Sequence, residues 1–136
     1  MTSGRSGGAV ISTVRCESAE VEVLVAARDI RVRRALSGLL ELIDRRTVAT
    51  THTAGLVPAL DAAVTPELVV LEMDRTHEAQ DLRVIERLAL RGVPVIAVCS
   101  GTARSAAILA AGARACLDKD DPGFADRLAE AVRRRA

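Results

Sequence analysis

The chain has 136 residues, 49% hydrophobic and 27% charged, which fits one globular domain with a core of its own and excludes a disordered polymer. Nineteen basic against eighteen acidic residues leave a net charge of +1, a balance that argues against a general nucleic-acid binder. No apolar run approaches the length of a membrane span, and three cysteines (Cys16, Cys99, Cys116) form neither a metal-spaced pair nor an even disulfide set, so reduced thiols and a cytoplasmic location are expected.

Residues 1–18 are rich in Ser and Gly and carry no period. They read as a disordered tail, with 19–136 as the folded domain. Gly4, Gly7 and Gly8 follow no strand, so they fail as a phosphate loop. Arg5 is followed by no apolar core of signal-peptide length. The short run Ala9-Val10-Ile11 offers at most an edge contact.

Val21 to Ala26 alternates and then turns apolar, a first strand ending at Ala27-Arg28-Asp29. Val32, Ala35, Leu36, Leu39, Leu40 and Ile43 recur at helical spacing, predicting a first helix of about three turns. The β-branched stretch Thr47 to Thr53 predicts a second strand. Leu56, Ala59, Leu60 and Ala63 mark a second helix that stops before Pro66.

Leu68-Val69-Val70-Leu71 is a continuous apolar run of the kind buried on both faces of a sheet, and it delivers Glu72 at its end. Leu82, Ile85, Leu88 and Ala89 form the third helical stripe, closed by Gly92. Val93 to Val98 is a fourth buried strand, ending at Cys99-Ser100-Gly101. A helix over Ala103 to Ala111 stops at Gly112. Ala113 to Leu117 predicts a fifth strand, and Asp121-Pro122 a helix start with Phe124, Leu128, Ala131 and Val132 facing inward. The Arg31–Arg34 and Arg133–Arg135 clusters read as solvated helix faces, and His52 and His77 as exposed and idle.

Strands and helices in alternation predict an α/β fold, a doubly wound, flavodoxin-like (βα)5 domain with a five-stranded parallel sheet. The expected strand order is 2-1-3-4-5, with a site where strand carboxyl ends gather. Ala27, Arg28, Asp29, Glu72, Met73, Asp74, Cys99, Ser100 and Lys119 are the residues so delivered. Cys99 and Cys116 fall on neighbouring strands and read as small core thiols in preference to a redox pair.

Pro66-Glu67-Leu68-Val69-Val70-Leu71, Val93-Pro94-Val95-Ile96, and Gly112-Ala113-Arg114-Ala115 running to Lys119-Asp120 give the chain, over about 20–136, a form that resembles the receiver domain of bacterial two-component response regulators. The resemblance assigns Glu72 to the phosphoacceptor position, where receivers carry Asp. It assigns the acidic metal pair to Ala27 and Arg28, with Asp29 one step displaced and Asp74 nearby. The switch positions fall on Cys99, with Ser100 adjacent, and on Cys116. The lysine, Lys119, is kept and is expected to meet Glu72.

Phosphoryl transfer to a carboxylate needs a metal clamp and positioned cations. These departures therefore imply an atypical receiver: not an enzyme, without cofactor or bound metal, signalling through protein contacts independent of phosphorylation. The resemblance puts the partner or homodimer surface on the fourth helix, fifth strand and fifth helix, where Ala106, Ile108, Leu109 and Ala110 are more apolar than one buried stripe needs. It leaves open a histidine kinase on the first helix and transcription regulation through a partner or a missing output domain. No direct nucleic-acid or membrane contact is expected. The alternatives are a residual phosphorylatable receiver in a phosphorelay, using Glu72 or Asp74, and a small flavodoxin-like ligand binder. The second lacks a Gly-rich phosphate turn after the first strand and has one aromatic residue, Phe124, to stack on a flavin.

Overall fold

Residues 12–13, 22–44, 48–62 and 65–134 are described by the computed structural model. Six strands and five α-helices run in the order β1 (Ser12–Thr13), β2 (Val23–Ala26), α1 (Ile30–Asp44), β3 (Val48–Thr51), α2 (Leu56–Asp61), β4 (Leu68–Glu72), α3 (Glu78–Leu90), β5 (Val95–Cys99), α4 (Ser105–Ala111), β6 (Ala115–Asp118) and α5 (Phe124–Arg133). The sheet order is β1-β3-β2-β4-β5-β6. The strands β2 to β6 are the expected five, parallel and in the order 2-1-3-4-5.

The addition is β1. It pairs antiparallel with β3, Ser12 opposite Thr50 and Thr13 opposite Ala49. Most of the expected tail over 1–18, including Ala9-Val10-Ile11, lies outside the described residues. The two of its residues that are described are strand, because β3 otherwise ends the sheet with a row of open backbone groups.

Two compact units divide the chain, one through Glu67 and one from Leu68. In the first, β2 pairs with β3 from Val23↔Val48 to Ala26↔Thr51, and α1 packs on both strands. Leu36 and Leu40 supply its buried ridge, one turn apart, against fully buried Val23, Leu24, Val25 and Ala26. Helix α1 is about a turn longer than its apolar spacing implies. It begins at Ile30, directly after a capping aspartate, Asp29.

In the second unit β4, β5 and β6 pair from Val69↔Val95 to Glu72↔Val98 and from Ile96↔Ala115 to Cys99↔Asp118. Residues 68–71 and 95–98 are essentially without exposure, as their unbroken apolar runs require. Each Val or Leu so buried contributes about 1.5–3 kcal/mol of transfer free energy. Helix α3 packs on β5 and α4, while α4 and α5 pack on β6. Gly112 closes α4 at φ +120°, and a Cβ there would come within 2.7 Å of Ala89 Cβ. Glycine is what allows α4 to end against α3.

Two helix readings need correction. The inward face of α3 is Asp81, Ile85 and Leu88, whereas Ala89 is exposed and Leu82 half-buried. Helix α5 starts at Phe124 and not at Asp121-Pro122. Asp121 Oδ1 accepts from Gly123 N at 3.1 Å and its carbonyl from Phe124 N at 2.9 Å, so the aspartate caps a turn leading into the helix. No helix among the described residues is long and apolar enough to cross a membrane.

Candidate functional site

At the end of β2 the backbone runs into α1 through Ala27, Arg28 and Asp29. Ala27 is fully buried and its N–H donates to Thr51 O at 3.2 Å. Asp29 Oδ1 accepts from the backbone N–H of Arg31 at 2.8 Å, and its Oδ2 lies 3.0 Å from Arg31 Nη2. Those hydrogen bonds, the Arg31 side chain first, hold the Asp29 carboxyl below the usual carboxylate range. Arg33 leaves the solvated face expected of its cluster. Its Nη1 donates to Ala27 O at 2.8 Å, with Arg28 O at 3.4 Å, which satisfies carbonyls at the strand end.

At the end of β4 Glu72 stands opposite Val98 of β5, its side chain only 11% exposed. Lys119 Nζ donates to Glu72 Oε2 at 2.6 Å. The lysine is brought there by its own backbone, whose N–H donates to Cys99 O at 2.8 Å just beyond the β5–β6 pairing. The expected meeting of Lys119 with Glu72 is therefore present. A charged pair this short is a charge-assisted hydrogen bond, and it occupies one of the two carboxylate oxygens.

Asp74 starts the 3₁₀ turn Arg75–His77. Its Oδ1 accepts from Thr76 N at 3.1 Å and Thr76 Oγ1 at 3.0 Å, and its Oδ2 lies 3.0 Å from His77 Nδ1. The Thr76 N–H above all keeps its carboxyl low. His77 is thus engaged, and so is His52, whose Nδ1 accepts from Ala54 N at 2.9 Å; His52 caps a 3₁₀ turn and His77 pairs with Asp74, where idle side chains were expected. Beneath the loop, Asp81 is fully buried on α3 and its Oδ2 accepts from Asp74 N at 3.0 Å.

At the ends of β5 and β6 the two thiols meet. Cys99 Sγ and Cys116 Sγ are 3.1 Å apart, and Ser105 Oγ, in the first turn of α4, donates to Cys116 Sγ at 3.7 Å. Cys99 is 4% exposed and Cys116 partly exposed; both are free. The bond between them pushes the Cys99 thiol up and pulls the Cys116 thiol down. Ser100 is exposed at the turn that follows. Asp118 Oδ1 accepts from Gly101 N at 2.9 Å and Asp120 N at 3.0 Å, which ties the β5–α4 loop to β6 and depresses the Asp118 carboxyl.

The Mg²⁺ of ordinary receivers would need an octahedral set of oxygens anchored by one or two free carboxylates. In the second unit Asp74 is spent on a helix start and Glu72 is bonded to an ammonium. Among the described residues no group of three His, Cys, Asp or Glu is placed to hold a metal ion. The residues present do not fit the ion.

Three contributors escaped the sequence reading. Asp81 occupies the core face of α3 at positions 81, 85 and 88, so a polar residue in helical register with Ile85 and Leu88 was the available signal. Asp118, and the ion pair of Arg104 with Glu78 that joins the loop before α4 to α3, left no local signal. In the fourth helix Ile108 is fully buried, while Ala106, Leu109 and Ala110 face outward.

No family model matches the sequence, and no curated protein matches it. Solved structures do. A response regulator receiver protein from Burkholderia phymatum is 28% identical with a TM-score of 0.65, over 83% of this chain and 92% of that one. The response regulator domain of Thermotoga maritima CheB gives 0.66 at 19% identity, over 85% and 96%. A pilus assembly-related protein from Burkholderia pseudomallei gives 0.67 at 21%, over 85% and 88%. The structural neighbours thus include receiver domains of response regulators, the fold is theirs, and the likeness supports a receiver of two-component signalling.

Proposed function

We propose that this chain is an atypical receiver, a cytoplasmic signalling and protein-interaction module that works without aspartyl phosphorylation and is not an enzyme. One observation carries the reading: the carboxylate ending β4 is a glutamate already bonded to Lys119 Nζ at 2.6 Å. A phosphoacceptor must present a free oxygen to an in-line phosphoryl group beside a metal. Glutamate is one methylene longer than aspartate, and a displacement of about 1 Å costs on the order of 10²-fold in a positioned reaction. Glu72 instead acts as a permanent negative charge with its lysine in place, smaller in charge than a phosphoaspartate.

Output would pass through α4, β6 and α5, where Leu109 is 46% exposed, to a protein partner or a second copy, with transcription regulated through that partner or an output domain. Leu109→Glu is expected to weaken such association while the fold survives; a complex indifferent to it argues against this surface. A second reading, a role in building a surface appendage, draws on the likeness to pilus assembly-related proteins of Burkholderia. Normal piliation in a strain lacking the protein would exclude it.

The deciding experiment treats the chain with acetyl phosphate, and separately with beryllofluoride, in the presence of Mg²⁺, and reads intact mass and amide NMR shifts. Unchanged mass and no shifts at Glu72 or Lys119 are expected. A phosphoryl adduct that disappears in Glu72→Gln would overturn the proposal in favour of a residual phosphorelay receiver.

A further inference from the structure

The pairing register gives the two thiols an unusual relation. Ala97 stands opposite Cys116 and Cys99 opposite Asp118, so all four side chains share one face of the β5–β6 pair. Cys99 and Cys116 are diagonal neighbours on that face. Their sulfurs nonetheless lean together to 3.1 Å, inside ordinary contact, with the Ser105 hydroxyl of α4 on Cys116. Two core thiols that merely fill space have no need of that convergence.

We infer that Cys116 and Cys99 form a hydroperoxide-sensing thiol pair, in which Cys116 is the attacking sulfur and Cys99 the resolving one, and the product is a reversible intramolecular disulfide. The roles follow from exposure and from the Ser105 hydroxyl on Cys116. Cys116 is the reachable sulfur; it accepts the Ser105 hydroxyl and shares a hydrogen bond with the Cys99 thiol, and both contacts favour its thiolate. Cys99 is buried, and the bond to Cys116 and its burial push its thiol up.

The Cys116 thiolate attacks one oxygen of the hydroperoxide. The O–O bond breaks, the leaving oxygen departs as hydroxide or alkoxide, and Cys116 becomes a sulfenic acid. Cys99 then loses its proton, attacks the Cys116 sulfur and expels the hydroxyl as water. In sum two thiols and one peroxide give a disulfide, water and a second water or an alcohol. The two electrons come from the sulfurs and reduce the O–O bond.

Closure changes the fold locally. An S–S bond is about 2.05 Å, so the sulfurs must approach by about 1 Å, and a diagonal strand pair has its Cα atoms roughly 7–8 Å apart where disulfides span about 4.4–6.8 Å. The end of β6 therefore shifts along β5. That end bears Asp118, which holds the β5–α4 loop, and Lys119, which holds Glu72.

The test uses the full chain carrying Cys16→Ser, treated with hydrogen peroxide and read by non-reducing peptide mapping and intact mass. Loss of two hydrogens, a linked peptide joining Cys99 to Cys116, loss of both iodoacetamide-reactive thiols and recovery with dithiothreitol are expected. Amide shifts should appear at Ser105, Asp118 and Lys119. In Cys99→Ser, Cys116 should stop at a sulfenic acid that dimedone captures, whereas Cys116→Ser should leave Cys99 unreactive. The map of the Cys16→Ser chain itself decides the matter if either further variant fails to fold. Oxygen addition without linkage, or linkage only after denaturation, overturns the inference.

Discussion

The loops that follow β2 and β4 both receive acidic residues at the end of a buried strand, and they dispose of them in opposite ways. After β2, Asp29 is satisfied by Arg31, two residues on, and the neighbouring carbonyls by Arg33 within the next turn. After β4, Asp74 is likewise spent on its own helix start, but Glu72 waits for Lys119, 47 residues away, and Asp74 N–H for the buried carboxylate of Asp81. Local partners make a helix start that would form in many folds. Distant partners make an arrangement that exists only once three strand ends are assembled.

The contrast should be measurable by denaturant unfolding. Asp81→Ala is expected to have the largest effect, about 2–3 kcal/mol, because it empties a buried site and strips Asp74 N–H of its acceptor. Lys119→Met should cost less, about 1–2 kcal/mol, since Glu72 is left unpaired at 11% exposure but the lysine itself is partly solvated. Asp29→Ala, which removes an exposed cap, should cost less than either. If Asp29→Ala proves the costliest of the three, the distinction between local and distant anchoring fails.

The smallest effect is one of pH. Asp29, Asp74 and Asp118 are all held low, by the Arg31 side chain, the Thr76 N–H and the Gly101 N–H respectively. A carboxyl whose folded pKa lies below its unfolded one binds its proton more weakly when folded. Its contribution is therefore complete above the usual carboxylate value, about 4, and fades as pH falls through the folded value. Urea midpoints should hold steady from pH 7 to 5 and drop toward pH 3, with Asp118→Asn narrowing the drop. A midpoint that rises toward pH 3 would show the sign to be wrong.

Much of this was legible in the residues. Val69-Val70-Leu71 and Val95-Ile96-Ala97-Val98 are unbroken apolar runs, and only a strand covered on both faces gives such runs a place. Alternation with amphipathic helices then leaves a doubly wound parallel sheet as the simplest packing, and a carboxylate following Leu71 must emerge at its carboxyl edge. Glu72 and Lys119 were placed at that edge in this way, and their meeting was expected from the family resemblance.

What the tertiary structure decided concerns partners and faces. Asp121-Pro122 has every local mark of a helix start, yet the chain first completes a turn there and α5 begins at Phe124. The alanine-rich fourth helix cannot say which of Ile108 and Leu109 turns inward, whereas packing against β6 buries the first and exposes the second. The distance between Cys99 and Cys116 follows from the Ala97↔Cys116 register of two strands that meet only after folding. Apolar periodicity and capping chemistry act within a few residues and can be read from them. A cross-strand register or a 47-residue ion pair is the outcome of the whole core settling into one packing, and no local pattern encodes it.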